Sequence, residues 1–464
     1  MHTNADPAAP SSTRRLAEFV ANTPADQVSA SVLDAARDAL IDTLGCALAG
    51  RDDEPARIVR DWIAEQGGTP QAHVWGTSQC VTAADAAMAN AIAGHALDFD
   101  DSSLNLRGHP SALMMSAAMA VGEATHASGR DVLVAYACGL EVGAKLAPAL
   151  GPDHYFRGWH TTATAGIFAA AAIAARLYRL SAEATGHALG IAASQSAGLT
   201  SNFGSMTKSM HVGHAARCGI TAAALAAKGF TANPSIFEGK TGFVEAYRGE
   251  RHAELADTVK QLGAPWELDE PGLYRKRFPC CYAAHRPAAG LMELLAEKNI
   301  ATADIRSIRI GYLPGAQHPM IHHDPQNGLQ AKFSTEYCMA AAALDRALTI
   351  ASFEDEQVMR PAVRALMAKV SAYEIPAQGV FNGLTGYNDI EVETASGRHT
   401  LHITRTPGSP DWPVSGAALE EKFLSCAGVV LPAESARRVL DMARRVGSLQ
   451  DVSALSALLV QQAR

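Results

Sequence analysis

Residues 161–178 read TTATAGIFAAAAIAARLY, an alanine-rich run whose apolar side chains recur at helical spacing. Alanine is the best helix former, and its small side chain lets neighbouring helices approach closely. Only 6% of the chain is aromatic although 48% is hydrophobic, whereas a β-sandwich or barrel would contain more aromatic and β-branched residues. The run therefore predicts a helix over Thr161–Tyr178, inside a bundle with some fully buried helices.

Similar patterns lie on both sides of this run. Helical spacing recurs from about Thr13 to Leu262, interrupted by short loops that contain Gly, Pro or Asp. The further predicted helices are Val32–Ala49, Ala83–Leu97, Ala112–His126, Asp131–Leu150, Ala182–Ala197 and Ala215–Lys228. This part of the chain therefore predicts one large helical domain.

The pattern changes near Pro271. Ser307–Tyr312 alternates like a strand, and Ile390–Thr394 and His399–Ile403 flank a tight turn, which is typical of a β-hairpin. Helical spacing also recurs in and after this region, at Arg286–Lys298, Ser334–Leu348, Ala417–Cys426 and Ala433–Val446. A smaller α+β unit, followed by a helical tail, is therefore predicted.

The chain has 464 residues, more than one compact core usually supports, so two domains are expected. We predict a mainly α protein, in which a large all-helical domain formed by both ends of the chain carries an inserted α+β domain. The expected parts are a disordered leader at 1–12, helical residues 13–272, the insert at 273–407 and a helical return at 408–464.

Charge and hydropathy exclude several classes of partner. The chain has 39 Lys and Arg against 47 Asp and Glu, and binding to nucleic-acid phosphates needs clustered cations. The N-terminus lacks the basic-then-apolar order of a signal peptide. The longest apolar run, Ala165–Ala175, is about half of a spanning helix, and eight cysteines form no regular framework. We expect a soluble, cytoplasmic protein that binds neither membrane nor nucleic acid.

Polar residues concentrate in five glycine-flanked or proline-flanked segments, each expected at a helix end, where free backbone N–H groups favour anions. The segments are residues 94–111, 156–166, 204–214, 276–285 and 332–337. Structural roles are open for several of their residues. His95 could cap a helix, Asp100 or Asp101 could start a turn, and Lys208 could extend its ammonium to solvent. Such roles do not explain why cations, histidines and a carboxylate recur together.

Three kinds of site are disfavoured by the residues themselves. His95 and Asp98 have the i,i+3 spacing of metal ligands, and Asp101 with a further histidine could complete a set. Lysines and arginines beside them would repel a divalent cation. A nucleophilic site lacks its GxSxG turn, and no GxGxxG or P-loop pattern follows a strand, so no nucleotide cofactor is indicated.

An anion site fits the residues best. In such a site cations hold carboxylates while a neighbouring group moves a proton. The candidate cations are Lys208, Lys276, Arg277 and Arg107, and the candidate proton carriers are Asp98, His109 and His160. The predicted partner is therefore a small di- or tricarboxylate.

The five segments together resemble the MmgE/PrpD family in order and spacing over nearly the whole chain. The most specific piece is GHALDFDD at 94–101, followed by HPS at 109–111. GWHTT at 158–162, MTK at 206–208 with His211, and KRFPC at 276–280 come next. The resemblance implies a helical domain built from both ends of the chain and an inserted α+β lid, with the active site between them. It also implies a homodimer and no metal or organic cofactor.

The resemblance also implies which residues form the site. By motif these are Asp98, Ser102, His109, His160, Lys208 and Lys276, with Tyr337 as a lid residue. We predict Asp98, His109, His160 and Lys208 as catalytic residues and Ser102, Lys276, Arg277 and Tyr337 as substrate-binding residues, with no metal ligand. Lys208 and Lys276 would bind a carboxylate, His160 or Asp98 would be the base, and His109 would be the acid.

The sequence departs from the family pattern at several of these positions. Ser102 stands where threonine is common, and Ser209 follows Lys208 where proline is usual. Residues 103–108 read SLNLRG, without the tryptophan found there in some members. Cys281 lies where the decarboxylase has a histidine, while its neighbour Cys280 belongs to the matching KRFPC motif. The varied loop touches the expected substrate zone.

The family includes 2-methylcitrate dehydratase, cis-aconitate decarboxylase and iminodisuccinate epimerase. These chemistries share a proton transfer at a carbon next to a carboxylate, where fixed cations stabilise the developing negative charge. The prediction is a cofactor-independent lyase, first of the 2-methylcitrate dehydratase type. An epimerase of an imino- or amino-dicarboxylate follows, then a cis-aconitate-type decarboxylase. A helical interaction protein is the non-enzyme alternative.

Overall fold

The computed structural model of the chain describes residues 11–379, 381 and 383–460 and is mainly α-helical. Residues 1–10 of the predicted disordered leader lie outside the described residues. The Ser11 hydroxyl accepts a hydrogen bond from the Arg14 N–H, and the first helix begins at Ser12. A serine in this position satisfies a free N–H group of the first turn, so the first helix begins inside the predicted leader.

The helices of the first part are numbered in chain order. They are α1 Ser12–Asn22, α2 Ala30–Ala49, α3 Glu54–Gln66, α4 Ala83–Ala96, α5 Pro110–Thr125, α6 Gly129–Phe156, α7 Thr161–Thr164, α8 Gly166–Leu177, α9 Ala182–Ala193, α10 Thr207–Ala226, α11 Phe243–Tyr247 and α12 Leu255–Thr258. The helical segments predicted here are confirmed, with two corrections. The run at Thr161–Tyr178 is divided at Ala165 into α7 and α8, and α10 begins at Thr207 rather than Ala215.

Helix α8, which carries the alanine run, lies at the centre of this part. Its residues from Ile167 to Ala175 are fully buried. A Cβ atom at Gly219 of α10 would lie 2.5 Å from the Ala170 Cβ and 2.8 Å from the Ile167 carbonyl oxygen. Only glycine allows α10 to approach α8 this closely, and the small residues read from the sequence therefore set the helix packing.

Helix α6 is long and apolar enough to cross a membrane, judged by length and composition alone. In the fold, 94% of its most apolar window is buried inside the protein, as in the core helix of a globular protein. The helix contains a kink at Gly151, where φ is 72°.

The strands are β1 Ala72–His73, β2 Cys80–Val81, β3 Ser102–Ser103, β4 Leu273–Tyr274, β5 Ser307–Tyr312, β6 Val370–Glu374, β7 Asn388–Thr394 and β8 Gly397–Ile403. The last four form one sheet in the order β6-β5-β7-β8, in which β5 and β6 are parallel and the other pairs are antiparallel. The predicted strand at Ser307–Tyr312 and the predicted hairpin are confirmed. The hairpin turn closes between Thr394 and Gly397.

The helices of this part are α13 His285–Glu297, α14 Gly328–Ala331, α15 Thr335–Asp345, α16 Asp355–Val358 and α17 Pro361–Met367. Of these, α13 and α15 pack against strands of the sheet and against each other. A Cβ atom at Gly290 of α13 would lie 2.5 Å from the Ile390 side chain, so this helix packs tightly on β7. Phe203 and buried residues between Phe278 and Ile403 form a hydrophobic core separate from that of the first part.

The last helices pack on the first part of the chain. They are α18 Gly416–Ala427, α19 Ala433–Arg444 and α20 Ser453–Leu458. Leu419, Phe423 and Leu440 share a hydrophobic core with residues of α1 to α10. A Cβ atom at Gly45 of α2 would lie 3.3 Å from the Phe423 backbone, so α2 and α18 are in close contact.

Candidate active site

A cavity of about 280 Å³ lies between the helical first part and the sheet-bearing part. Loops from both parts line it, and most of its polar side chains come from the sequence segments singled out above. Among the lining residues are Asp98, Ser102, Arg107, His109, His160 and Lys208. Phe203, Phe333 and Tyr155 add apolar surface. A largely apolar cavity with a few convergent polar groups is the usual form of a small-molecule site.

Asp98 is the centre of the charged groups. It follows α4 closely and has a left-handed backbone with φ of 51°, which Asp tolerates better than most residues. Its Oδ1 accepts from Lys208 Nζ at 2.5 Å and its Oδ2 from Lys276 Nζ at 2.8 Å. Burial alone would raise the pKa of Asp98, but the two ammonium groups outweigh it and hold this pKa well below its usual range. Asp98 is therefore ionised and doubly paired.

A chain of hydrogen bonds continues from Lys208 through His95 to Asp100. The Lys208 ammonium lies 2.7 Å from His95 Nε2, and His95 Nδ1 lies 2.9 Å from Asp100 Oδ2. An ammonium group only donates, so His95 accepts at Nε2 and carries its proton on Nδ1. Burial lowers the pKa of His95 although Asp100 opposes this effect. His95 is thus a neutral link that orients Lys208.

His109 stands at the start of α5, and its backbone N–H donates to the Thr162 hydroxyl at 3.1 Å. Its Nε2 lies 3.9 Å from Asp98 Oδ1 and its Nδ1 lies 3.6 Å from Asp100 Oδ2, too far for hydrogen bonds. Burial and the charge of Lys276 hold the pKa of His109 well below its usual value. A neutral imidazole with uncommitted nitrogen atoms at a cavity wall can serve as a proton acceptor.

His160 precedes α7 and is buried. Its Nδ1 lies 3.1 Å from the Nδ1 of His211, a residue of α10. Burial, and then the charge of Lys208, hold the pKa of His160 well below its usual value. Because Nδ1 is committed to His211, Nε2 is the atom of His160 that remains for a substrate.

Ser102 and Lys276 are brought together by a short strand pair. Ser102 in β3 pairs with Tyr274 in β4, which places Lys276 beside the loop that carries Asp98. The Lys276 side chain is fully buried, and its ammonium also donates to the Asp98 carbonyl at 2.8 Å. The structure therefore brings together six of the eight predicted residues: Asp98, Ser102, His109, His160, Lys208 and Lys276.

The other two predicted residues lie elsewhere. Arg277 is exposed and lines a different cavity with Phe278 and Lys422. Tyr337 on α15 is fully buried, and its hydroxyl donates to the Ser352 carbonyl. Tyr337 packs within the core of the sheet-bearing part. The prediction that Tyr337 and Arg277 line the substrate cavity is therefore wrong.

Several residues of the site were not among the predicted ones. His95 and Asp100 lie in the segments that were singled out, where they had plausible structural roles, and Arg107 was named as a candidate cation but not as one of the eight site residues. His211 lies three residues after Lys208, and this helical spacing was an available signal. Lys422 has no such signal, because it lies in an ordinary helical pattern far along the chain.

His95, Asp98, Asp100 and His109 each offer one ligand atom within 4.8 Å of the others, as a metal site would require. However, both carboxylate oxygens of Asp98 accept from ammonium groups. His95 is also committed at both nitrogens, to Lys208 and Asp100. A divalent cation would have to displace these bonds and would face two buried positive charges.

Comparison with known proteins agrees with the site. The family model of the MmgE/PrpD N-terminal domain matches residues 14–256, and that of the MmgE/PrpD C-terminal domain matches residues 278–447. The chain is 29% identical over 441 residues to the cis-aconitate decarboxylase of Homo sapiens, which covers 92% of this chain and 90% of that protein. It is 24% identical over 471 residues to the cis-aconitate decarboxylase of Aspergillus terreus, and this alignment covers 96% of this chain and 95% of that protein. Since the two models together span most of the chain, the protein belongs to the MmgE/PrpD family of enzymes.

Proposed function

We propose that this enzyme is a cofactor-independent lyase that acts on a small polycarboxylate by proton transfer at a carbon next to a carboxylate. One observation carries the proposal: two neutral histidines, His109 and His160, line the same cavity as an ionised Asp98 that two lysines hold in place. Fixed cations beside a reacting carboxylate stabilise the negative charge that proton removal creates. The sheet-bearing part would act as the lid.

Among the reactions of the family, we favour decarboxylation of an unsaturated tricarboxylate of the cis-aconitate type. Its support is that the relatives, which match the chain over at least 90% of its length, are cis-aconitate decarboxylases. In such a reaction the bond between carbon and one carboxylate breaks and its electron pair forms a new double bond. The electrons of the former double bond then take a proton from His109 or His160, and carbon dioxide leaves.

Charge explains how a histidine of low pKa could supply that proton. A substrate with three carboxylates brings strong negative charge beside His109, and nearby negative charge favours the imidazolium form. Substrate binding would therefore recruit the proton that the reaction consumes.

Dehydration of a 2-methylcitrate-type hydroxy acid, the first prediction from the sequence, is the second candidate. The neutral state of His109 and His160 favours it, because a base without a proton is what the first step of a dehydration needs. The homodimer and the cytoplasmic location that were expected from the sequence remain proposals.

One experiment separates the reactions. The enzyme would be incubated in deuterated water with cis-aconitate, 2-methylcitrate and an amino-dicarboxylate, and the products followed by NMR. We expect loss of carbon dioxide with one solvent deuterium in the product from cis-aconitate. A new alkene from 2-methylcitrate would indicate the dehydratase, and deuterium in an unchanged skeleton would indicate an epimerase. Turnover of none of the three acids would contradict the proposal.

Variants test the residues. His109→Gln and His160→Gln are expected to lower turnover about 10²- to 10⁴-fold, the usual contribution of a general acid or base. The matched control is His126→Gln, because the His126 side chain is 77% exposed and contacts Asp451 at the surface. Wild-type turnover in both site variants would show that neither histidine moves the proton.

A further inference from the structure

The cations at the cavity differ in whether a carboxylate of the protein already pairs with them. Lys208 and Lys276 both contact Asp98. Arg107 also lines the cavity, yet among the described residues its guanidinium contacts no carboxylate and makes no side-chain hydrogen bond. Its guanidinium, which has five N–H donors, is therefore without a protein partner among the described residues.

The backbone holds Arg107 in a costly position. Its φ is 55°, in the left-handed region, which costs about 1–2 kcal/mol for a residue with a Cβ atom. Two hydrogen bonds fix it there: the Arg107 N–H donates to the Ser103 carbonyl at 3.0 Å, and the Ser103 N–H donates to the Gly108 carbonyl at 2.9 Å. A Cβ atom at Gly108 would lie 2.4 Å from the Thr162 hydroxyl oxygen, so the loop is packed against α7. Such strain persists where function requires it.

The carboxylate nearest in its effect on Arg107 is already committed to another arginine. Burial lowers the pKa of Arg107, and so does the nearby Arg251, while Asp153 opposes them. The Asp153 carboxylate accepts from the Arg251 guanidinium and from the Arg251 N–H at 2.8 Å. Asp153 therefore does not pair with Arg107, and a bound anion could take that place.

Arg107 and His109 have different charged neighbours, which indicates that they lie in different parts of the cavity. Lys276, Asp100 and Lys208 act on His109, whereas Arg251 and Asp153 act on Arg107. Apolar side chains of Leu104, Pro152 and Phe156 line the cavity as well. This surface suits a short carbon skeleton that carries a carboxylate at each end.

We propose that Arg107 binds a second carboxylate of the substrate, away from the reacting carbon, and so selects polycarboxylates over acids that lack this group. This inference rests on the proposed function. Arginine matches a carboxylate with two parallel hydrogen bonds. Arg107 is thus a specificity-determining residue in the loop where the sequence departs from the family pattern.

The test uses two acids that do not react, so that it does not depend on which reaction occurs. Tricarballylate carries three carboxylates, whereas 2-ethylbutanoate has methyl groups in place of the two terminal carboxylates and keeps only one. Calorimetry would give the Kd of each acid for the wild type, Arg107→Gln, Arg107→Lys and the matched control Arg277→Gln, whose arginine is exposed outside this cavity.

We expect Arg107→Gln to weaken tricarballylate binding about 10- to 100-fold, the range for a charged hydrogen-bonded pair, and to leave the binding of 2-ethylbutanoate nearly unchanged. Arg107→Lys should recover part of the loss, and Arg277→Gln should match the wild type. Equal weakening of both acids, or no weakening of either, would overturn the role of Arg107. Failure of the wild type to bind either acid would instead reject the proposed function and this inference with it.

A second variant separates binding from folding. Arg107→Gly removes the guanidinium and also relieves the left-handed strain, because glycine adopts this backbone freely. We expect its melting temperature to equal or exceed that of the wild type while tricarballylate binding is lost to the same degree as in Arg107→Gln. Retained tricarballylate affinity in a folded Arg107→Gly protein would also overturn the proposal.

Discussion

The Nδ1 atoms of His160 and His211 lie 3.1 Å apart, as a hydrogen bond between two imidazoles requires. One ring must donate and the other must accept, so each ring fixes the tautomer of the other. Burial lowers the pKa of His211 to about 4, and both rings are neutral near pH 7. His211 is therefore a positioning residue that decides which nitrogen of His160 carries the proton.

We predict that His211→Leu lowers kcat about 10-fold or more with a smaller change in KM, because His160 loses its fixed tautomer. His211→Asn, whose amide can stand in for Nδ1, should recover much of the rate. Nitrogen NMR of the His160 ring would show a mixture of tautomers in the leucine variant only. A single unchanged tautomer in His211→Leu would contradict this role.

Asp98 is expected to stabilise the fold as well as the site. Asp98→Asn leaves the Lys208 and Lys276 ammonium groups buried and without a carboxylate between them. Breaking a buried pair in this way typically costs about 3–5 kcal/mol, which urea unfolding would measure. The double variant Asp98→Asn with Lys276→Met removes one of the two charges and should be more stable than Asp98→Asn. If the double variant were less stable than Asp98→Asn, the unpaired lysine charges would not be the cause of the lost stability.

Much of the fold follows from the sequence because local patterns carry it. Alanine-rich helical spacing predicted α8, and strict alternation predicted β5 and the hairpin of β7 and β8. Strand β6, Val370–Glu374, was not predicted, because it is an edge strand in which only Val370 is buried. The division between α7 and α8 was also not predicted. It coincides with tertiary bonds, such as the one that the Thr164 hydroxyl donates to His154 Nε2 at 2.8 Å.

The site was predictable as a set of segments but not as a set of contacts. The sequence shows Lys208, Lys276 and Arg107 as similar cations, and only the structure shows that the two lysines are paired with Asp98 and that Arg107 is not. Arg277 follows Lys276 directly, and a prediction by proximity in sequence could not separate the buried neighbour from the exposed one.

Stability should fall as the pH falls from about 6.5 to about 4. Burial lowers the pKa of His154 and His211 to about 4, against 6.5 for an ordinary histidine, and it also lowers those of His95, His109 and His160. The unfolded chain binds more protons than the fold in this window, so acid favours unfolding. Urea midpoints at several pH values would measure the slope.

Asp101 opposes this trend and provides a control. Burial, then the negative charge of Asp42, raise its pKa to about 7. The folded carboxyl therefore holds a proton between about 3.8 and 7 that the unfolded one has lost, which favours the fold on the acid side. Asp101→Asn removes this contribution, so its loss of stability in acid should be steeper than that of the wild type. An equal or shallower slope would contradict the assignment.

Metal removal should leave the activity unchanged. The candidate ligand Asp98 is bonded to two ammonium groups, and His95 is committed at both nitrogens. Dialysis against a chelator, followed by metal analysis and an activity assay, would test this expectation. Activity that is lost on dialysis and restored by one divalent metal would show that the cluster of His95, Asp98, Asp100 and His109 binds that metal.

Lys422 on α18 joins the C-terminal part of the chain to both loops of the site. Its buried ammonium donates to the Phe99 carbonyl at 2.8 Å and to the Lys276 carbonyl at 3.0 Å, and it lies 2.7 Å from Asp42 Oδ1. Burial alone would lower the pKa of Lys422, but Asp42 outweighs it and raises this pKa. The ammonium therefore holds the backbone on either side of the pairing between Asp98 and Lys276.

We predict that Lys422→Met lowers stability by about 3–5 kcal/mol, because Asp42 is left buried without its partner, and lowers kcat because the two loops lose a shared anchor. Adding Asp42→Asn should restore much of the stability but not kcat, since the carbonyls of Phe99 and Lys276 still lack a donor. Arg444→Met breaks only surface pairs with Glu420 and Asp441 and should cost less than about 1 kcal/mol. Recovery of kcat together with stability in the double variant would reduce Lys422 to a purely structural role.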